Sequence, residues 1–176
     1  MTITQIDSII AECRRLWTFA QTKWPAMVPH RLPTINFDLR GTCAGQAHTS
    51  WAGGVPTPKL LRFNPTLGAA NFETFVADIV PHELGHLIAA IVYKERGHGH
   101  LWRHVCRELG MREVTRCHQY DTSVLPNRKT VYCGCEGKTV STRLFNAMRR
   151  GSRYHCKTCG QSILLEKKID AAPVSV

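Results

Sequence analysis

One apolar, helix-length run, residues 72–92, constrains this chain more than any other stretch, because it has the pattern of a core helix and carries His82-Glu83-Leu84-Gly85-His86 inside it. Phe75, Ile79, Leu84, Leu87, Ile88 and Ile91 recur at helical spacing and predict a buried face. At about 3.6 residues per turn, positions i and i+4 share one side of a helix. His82 and His86 can therefore bind one metal while Glu83 reaches a water on it. A chance match to this pattern has odds of roughly 2% in such a composition, so the apolar flanks are what give it weight. The plainer alternative is a pair of core histidines held by hydrogen bonds. Pro81 removes a helical hydrogen bond and predicts a kink, or two abutting helices, with His82 to Tyr93 left as one regular segment.

A catalytic zinc needs a third protein ligand and an open position. The position six residues past His86 is Val92, which departs from the metzincin spacing. Glu95, His98, His100, His104 and Glu108 remain as candidates. Arg96-Gly97-His98-Gly99-His100 predicts a turn that folds His98 back under the helix. Leu101, Trp102, Val105, Cys106 and Leu109 then form an apolar stripe that stops at Gly110, and His104 falls on the solvated side.

Upstream, Thr34 to Arg40 alternates as a half-buried strand, and two further strands are predicted near 46–51 and 59–63, joined through a turn region at 53–58. An exposed edge of such a sheet can pair with an extended substrate through its main chain. Ile3, Ile6, Ile10, Cys13, Trp17 and Ala20 predict a helix that ends at Trp24-Pro25 and packs on the sheet. No stretch has the roughly 18 uninterrupted apolar residues of a membrane span, and no signal sequence is evident, so a cytoplasmic protein with no membrane partner is expected.

The eight cysteines fall into two groups. Cys13, Cys43, Cys106 and Cys117 are scattered and predict small buried residues. Cys133-Gly134-Cys135 and Cys156-Lys157-Thr158-Cys159, 20 residues apart, can close a four-thiolate structural zinc site. A closed site has no position for water, so catalysis would belong to the histidines. The net charge of +10 is concentrated in the last third, where Arg128, Lys129, Lys138, Arg143, Arg149, Arg150, Arg153 and Lys157 alternate with Tyr132, Phe145 and Tyr154. Cations beside aromatics suit single-stranded or unpaired nucleic acid, the alternative being a solvated ribbon with a few core aromatics.

The motif His82-Glu83-Leu84-Gly85-His86, then Gly97-His98-Gly99 and Trp102, resembles the SprT family, which includes a DNA-dependent protease. Residues 40–47, Leu61-Arg62-Phe63-Asn64-Pro65, His118-Gln119-Tyr120 and the four cysteines keep the family's order of elements. The resemblance implies an α+β fold: a minimal zincin-like metalloprotease domain at 1–125, with helices on a small antiparallel sheet, a zinc ribbon at 126–169 and a tail at 170–176. It implies a zinc endopeptidase with His82, His86 and His98 as ligands and Glu83 as acid/base, acting on DNA-bound or DNA-crosslinked proteins, with one catalytic and one structural zinc. His118 and Tyr120 are candidates for stabilising the transition state, and His100 is an alternative or supporting ligand. The competing reading is a nucleic-acid-binding regulator whose histidine zinc is structural or inactive; a hydrolase of non-peptide substrates is a third.

Overall fold

Thr2 starts the first helix, α1 (Ile3–Lys23), with a capping box: its hydroxyl accepts from Gln5 N, and the Gln5 side chain accepts from Thr2 N. The helix buries Ile9, Cys13, Leu16, Trp17 and Ala20, whereas Ile3 is 80% exposed. Of the predicted stripe, Cys13, Trp17 and Ala20 are buried and Ile6 and Ile10 half-buried; Ile9 and Leu16 join it and Ile3 does not, because the first turns are apolar on two sides and periodicity does not choose between them. Trp24 caps the end, as expected.

The computed structural model describes residues 1–120, 122–125, 128–135 and 137–166. The chain divides into two units, Met1–Val124 and Leu125–Val176. The predicted tail at 170–176, the last residues of the predicted ribbon and the Arg128 side chain lie outside what is described.

In the first unit, β1 (Thr34–Asn36), β2 (Gly45–Ala52) and β3 (Val55–Phe63) form a sheet in the order β1-β3-β2. Gly53 and Gly54, with φ of 56° and 79°, close the β2–β3 hairpin in the left-handed conformation that such a tight turn requires. β1 pairs with β3 in parallel, which corrects the expectation of an antiparallel sheet. Residues 37–44 cross the end of β3 before β2 begins, and Leu39 N donates to Phe63 O at 3.2 Å on the way. β1 also stops earlier than the alternating pattern predicts, and beyond it Asp38 pairs with Arg62 at 2.8 Å. Pro56 and Pro58 are tolerated within β3 because β1 reaches only Leu60–Arg62, leaving that stretch with one neighbouring strand.

Asn64, fully buried, links sheet to helix. Its Oδ1 caps α2 (Pro65–Ala70) by accepting from Thr66 N and Leu67 N, and its Nδ2 donates to Gly41 O and Cys43 O. The chain then runs through α3 (Phe72–Thr74), a π-helical turn (Phe75–Ile79) and α4 (Val80–Tyr93) as one continuous helix. The predicted break at Pro81 takes this form: the wider π turn ahead of it accommodates a residue that has no N–H to donate. Lys94, at φ 58°, ends α4, and α5 (His100–Glu108) follows. Helix α4 packs against α1, α5, β2 and β3 at the centre of the unit. The run Phe72–Tyr93 is long and apolar enough to cross a membrane, but 67% of its most apolar window is buried inside the protein.

In the second unit, β4 (Arg128–Val131) pairs antiparallel with β5 (Lys138–Ser141), and Ser141 caps α6 (Thr142–Arg149) by accepting from Leu144 N. Single bridges Tyr132–Leu164 and His155–Ser162 bring the later segment back.

Gly85 is where α4 and α5 touch: a Cβ there would stand 2.6 Å from Cys106 Sγ and 3.2 Å from Trp102 Nε1. Gly85→Ala is expected to destabilise the first unit by about 1–3 kcal/mol through overpacking. Tryptophan fluorescence in a denaturant titration reads this directly, since Trp17, Trp24, Trp51 and Trp102 all lie in that unit.

Candidate functional site

Helix α4 presents His82 and His86 on one face, and the loop after it brings in His98. Its Nε2 lies 3.2 Å from His86 Nε2 and 3.2 Å from His82 Nε2. Three imidazole nitrogens at about 2.05 Å from a tetrahedral zinc would stand about 3.3 Å apart, so the cluster has the spacing of a metal site. The rings are also oriented from behind: the Thr115 backbone hydrogen-bonds His82 and the Gly97 backbone hydrogen-bonds His86. Burial, then the neighbouring histidines, pushes His82 down to about 4 and His86 to about 3. Both imidazoles are therefore neutral at pH 7, the form that binds a metal.

Trp102, fully buried, is the floor of the cluster: its ring centroid lies 4.8, 5.2 and 4.5 Å from those of His82, His86 and His98. Its Nε1 donates to His82 O at 3.3 Å, tying the start of α5 to the motif. Glu95, one of the third-ligand candidates, instead accepts from Trp102 N at 2.5 Å and caps α5. A Cβ on Gly99 would run into that carboxylate, which explains why glycine follows His98. His100 opens α5 and His104 lies on its outer side; both are exposed and neither joins the cluster.

Glu83 lies against the first residues of β2. A Cβ on Gly45 would be 2.6 Å from Glu83 Cγ and 2.7 Å from its Oε1, and the Ala47 backbone hydrogen-bonds the carboxylate. Burial pushes the Glu83 carboxyl up to about 8. A group near neutrality can both accept and return a proton at pH 7. Gly45, which sequence reasoning did not single out, makes room for it.

These groups open onto a cleft of about 1240 Å³ whose walls include Ala47, Thr49 and Trp51 of β2 and His118 and Tyr120 from the segment after α5. His118 Nε2 donates to Thr42 O at 2.9 Å while its Nδ1 accepts from Tyr120 N at 3.3 Å. Both ring nitrogens are thereby engaged, so His118 braces the Tyr120 backbone against Thr42. Tyr120 stacks between Phe75 and His118, and its buried Oη lies beside the Thr74 side chain. Burial pushes it up to about 12, so it keeps its proton as a donor. Cys43 and Cys117 line the same cleft and are exposed, unlike Cys13 and Cys106, which corrects the reading of all four as buried.

In the second unit, the ligand atoms of Cys133, Cys135, Cys156 and Cys159 lie within 4.8 Å of one another. Four thiolates at about 2.3 Å from a tetrahedral zinc would be about 3.8 Å apart, which fits. Backbone N–H groups of Cys159 and Thr158 and the Lys138 ammonium hold the Cys156 thiol down to about 5. Lys138 Nζ lies 3.3 Å from Cys156 Sγ and 3.0 Å from Thr158 Oγ1, so it serves the cysteine cage rather than an open basic surface. Lys129, Arg143, Arg149, Arg150, Arg153 and Lys157 are exposed.

Comparison with known proteins gives the family of the chain. The SprT-like family model matches residues 16–122. Protein SprT of Photorhabdus laumondii is 36% identical over 146 residues, which covers 79% of this chain and 69% of the relative. The Shewanella oneidensis Protein SprT is 35% identical, covering 76% and 83%, and that of Pseudomonas fluorescens 33%, covering 77% and 82%. The chain belongs to the SprT-like family. No solved structure matches it. The family match contains the three histidines, Glu83 and Tyr120, whereas the four cysteines lie beyond it.

The titrations of this SprT-like site set a pH dependence for the metal-stripped protein. As pH falls from about 6.5 towards 4, the unfolded chain protonates His82 and His86 while the folded one does not, so folding loses stability. As pH rises from about 4.5 to 8, the unfolded chain ionises Glu83 while the folded one holds its proton, and stability is again lost. The cluster's contribution is expected to peak near pH 6.5. Denaturation followed by tryptophan fluorescence after chelation checks this: Glu83→Gln should flatten the alkaline side and His86→Asn the acid side.

Proposed function

We propose that this chain is a zinc-dependent endopeptidase of SprT type that cleaves DNA-bound or DNA-crosslinked proteins, in a minimal zincin-like domain joined to a zinc ribbon. The observation that carries the reading is Glu83, a buried carboxyl near neutrality, held beside β2 at the three-histidine cluster. His82, His86 and His98 would hold the zinc, which when bound supplies Lewis acidity to a water and a scissile carbonyl. Glu83 takes the proton from the attacking water and returns it to the leaving amine. β2 ends the sheet, so its outer edge can receive an extended substrate by main-chain hydrogen bonds, with little demand on side chains. Tyr120 lines the cleft and keeps its proton, which supports a role for its hydroxyl as a donor to the developing oxyanion.

The four cysteines would hold the second zinc as a scaffold. The exposed cations around them, with Tyr154 37% exposed, present a surface suited to phosphates and unpaired bases. That surface suits a protease and a regulator alike; the carboxyl supports the protease reading. A regulator with a structural histidine zinc has no use for a protonatable carboxyl kept dry beside an open cleft.

Two zincs per chain are expected by metal analysis, one lost in His82→Ala and the other in Cys156→Ala. Glu83→Gln should keep both and abolish cleavage of a DNA-bound protein; retained cleavage would remove Glu83 from the chemistry, whereas full cellular activity of a variant that no longer cleaves would support the regulator. Tyr120→Phe is expected to lower kcat by about 10²-fold with little change in KM, measured on the same substrate.

A further inference from the structure

Trp51 and Arg96 meet at one end of the cleft. Trp51 stands on the cleft side of β2 near its end, and Arg96 is in the loop that carries His98. The Arg96 Cζ lies 4.2 Å from the centroid of the Trp51 ring. A guanidinium stacked on an indole has one face covered and its planar edge of N–H donors held in a fixed direction. That edge has no hydrogen-bond or ion-pair partner among the described residues, and Arg96 is exposed. The adjacent acid, Glu95, is already occupied by Trp102 N.

The position of the pair along β2 gives it a meaning for a bound chain. Ala47, Thr49 and Trp51 alternate onto the same side of the strand, and Ala47 holds Glu83. At about 3.3 Å per residue, Trp51 is about 13 Å further along, the reach of about four residues of an extended substrate. We infer that Trp51 and Arg96 form a binding subsite for a carboxylate side chain, Asp or Glu, about four residues from the scissile bond. The inference rests on the peptidase reading: the main chain of the substrate pairs with β2, and Arg96 adds a charge preference at one position. A bidentate contact from a pre-stacked guanidinium corresponds to a preference of about tenfold.

The test uses the full-length zinc-loaded protein and peptides carrying a single Glu, Gln or Lys at each position three to five residues on either side of the cleaved bond. The expected result is a kcat/KM about tenfold higher for Glu than for Lys at one such position. Arg96→Ala should erase that preference and Arg96→Glu should reverse it, both with zinc content unchanged; Trp51→Ala should weaken it. Cleavage indifferent to charge at every position, or a preference that survives Arg96→Ala, overturns the subsite while leaving the peptidase reading intact. Loss of DNA stimulation in Arg96→Ala without any change in peptide preference also overturns it, by assigning Arg96 to phosphate. If the wild type cleaves no peptide, the peptidase reading fails in this assay, and fluorescence anisotropy of labelled Glu and Lys peptides on Glu83→Gln decides the subsite: equal affinities overturn it, and tighter Glu binding that Arg96→Ala removes supports it.

Discussion

The first unit is organised by one constraint: its most buried helix, α4, carries two imidazoles and a carboxyl into the core. Buried polar groups are tolerated only when their hydrogen-bonding and charge demands are met, and the neighbours of α4 are shaped to that end. Gly45 lets β2 approach Glu83, and Gly85 lets Trp102 and Cys106 approach the helix from the other side. Backbone groups of Ala47, Thr115 and Gly97 take the polar atoms that remain. What the protein leaves unmet is the centre of the cluster, where three Nε2 atoms face one another about a hydrogen bond apart. Two of them are too buried to be readily protonated, and three neutral imidazoles at this spacing are compatible with a bound cation.

The same constraint reaches outward through local geometry. The π turn at Phe75–Ile79 absorbs Pro81 without bending the ligand-bearing segment away from the sheet. Asn64 fixes the turn at 41–43 from beneath, and Thr42 in that turn accepts from His118, which in turn braces Tyr120. A buried asparagine thus helps to set the position of a tyrosine that lines the cleft.

His82, Glu83, His86 and His98, and the four cysteines, were legible because metal ligation imposes a residue type and a spacing together. The hairpin was legible from its strands, although Gly53-Gly54 closed it earlier than the prolines suggested. Four features were not legible, each for a physical reason. The parallel pairing of β1 depends on a crossover, and no local pattern records one. Glu95 is chemically as good a ligand as a cap, and only the fold shows that its carboxylate turns to Trp102 N. Lys138 looks like any other cation of the basic stretch until β5 places it against Cys156. Helix α6 is short enough for its charged residues to read as a solvated ribbon.

The reassignment of Lys138 bears on how the two proposed roles divide. A four-thiolate zinc site carries a net negative charge, and an ammonium 3.3 Å from one sulfur offsets part of it locally. The remaining cations of the second unit then stand without an ion pair among the described residues, since the pairs formed by Arg15, Lys23 and Arg62 all belong to the first unit. Exposed charges of one sign act over about a Debye length, ~8 Å at physiological salt, and weaken as salt rises. The Glu83 carboxyl, by contrast, is buried and insulated from the ionic atmosphere. If the second unit holds the protein on DNA and the first cuts, added salt should therefore act on the capture of the substrate far more than on the bond-breaking step.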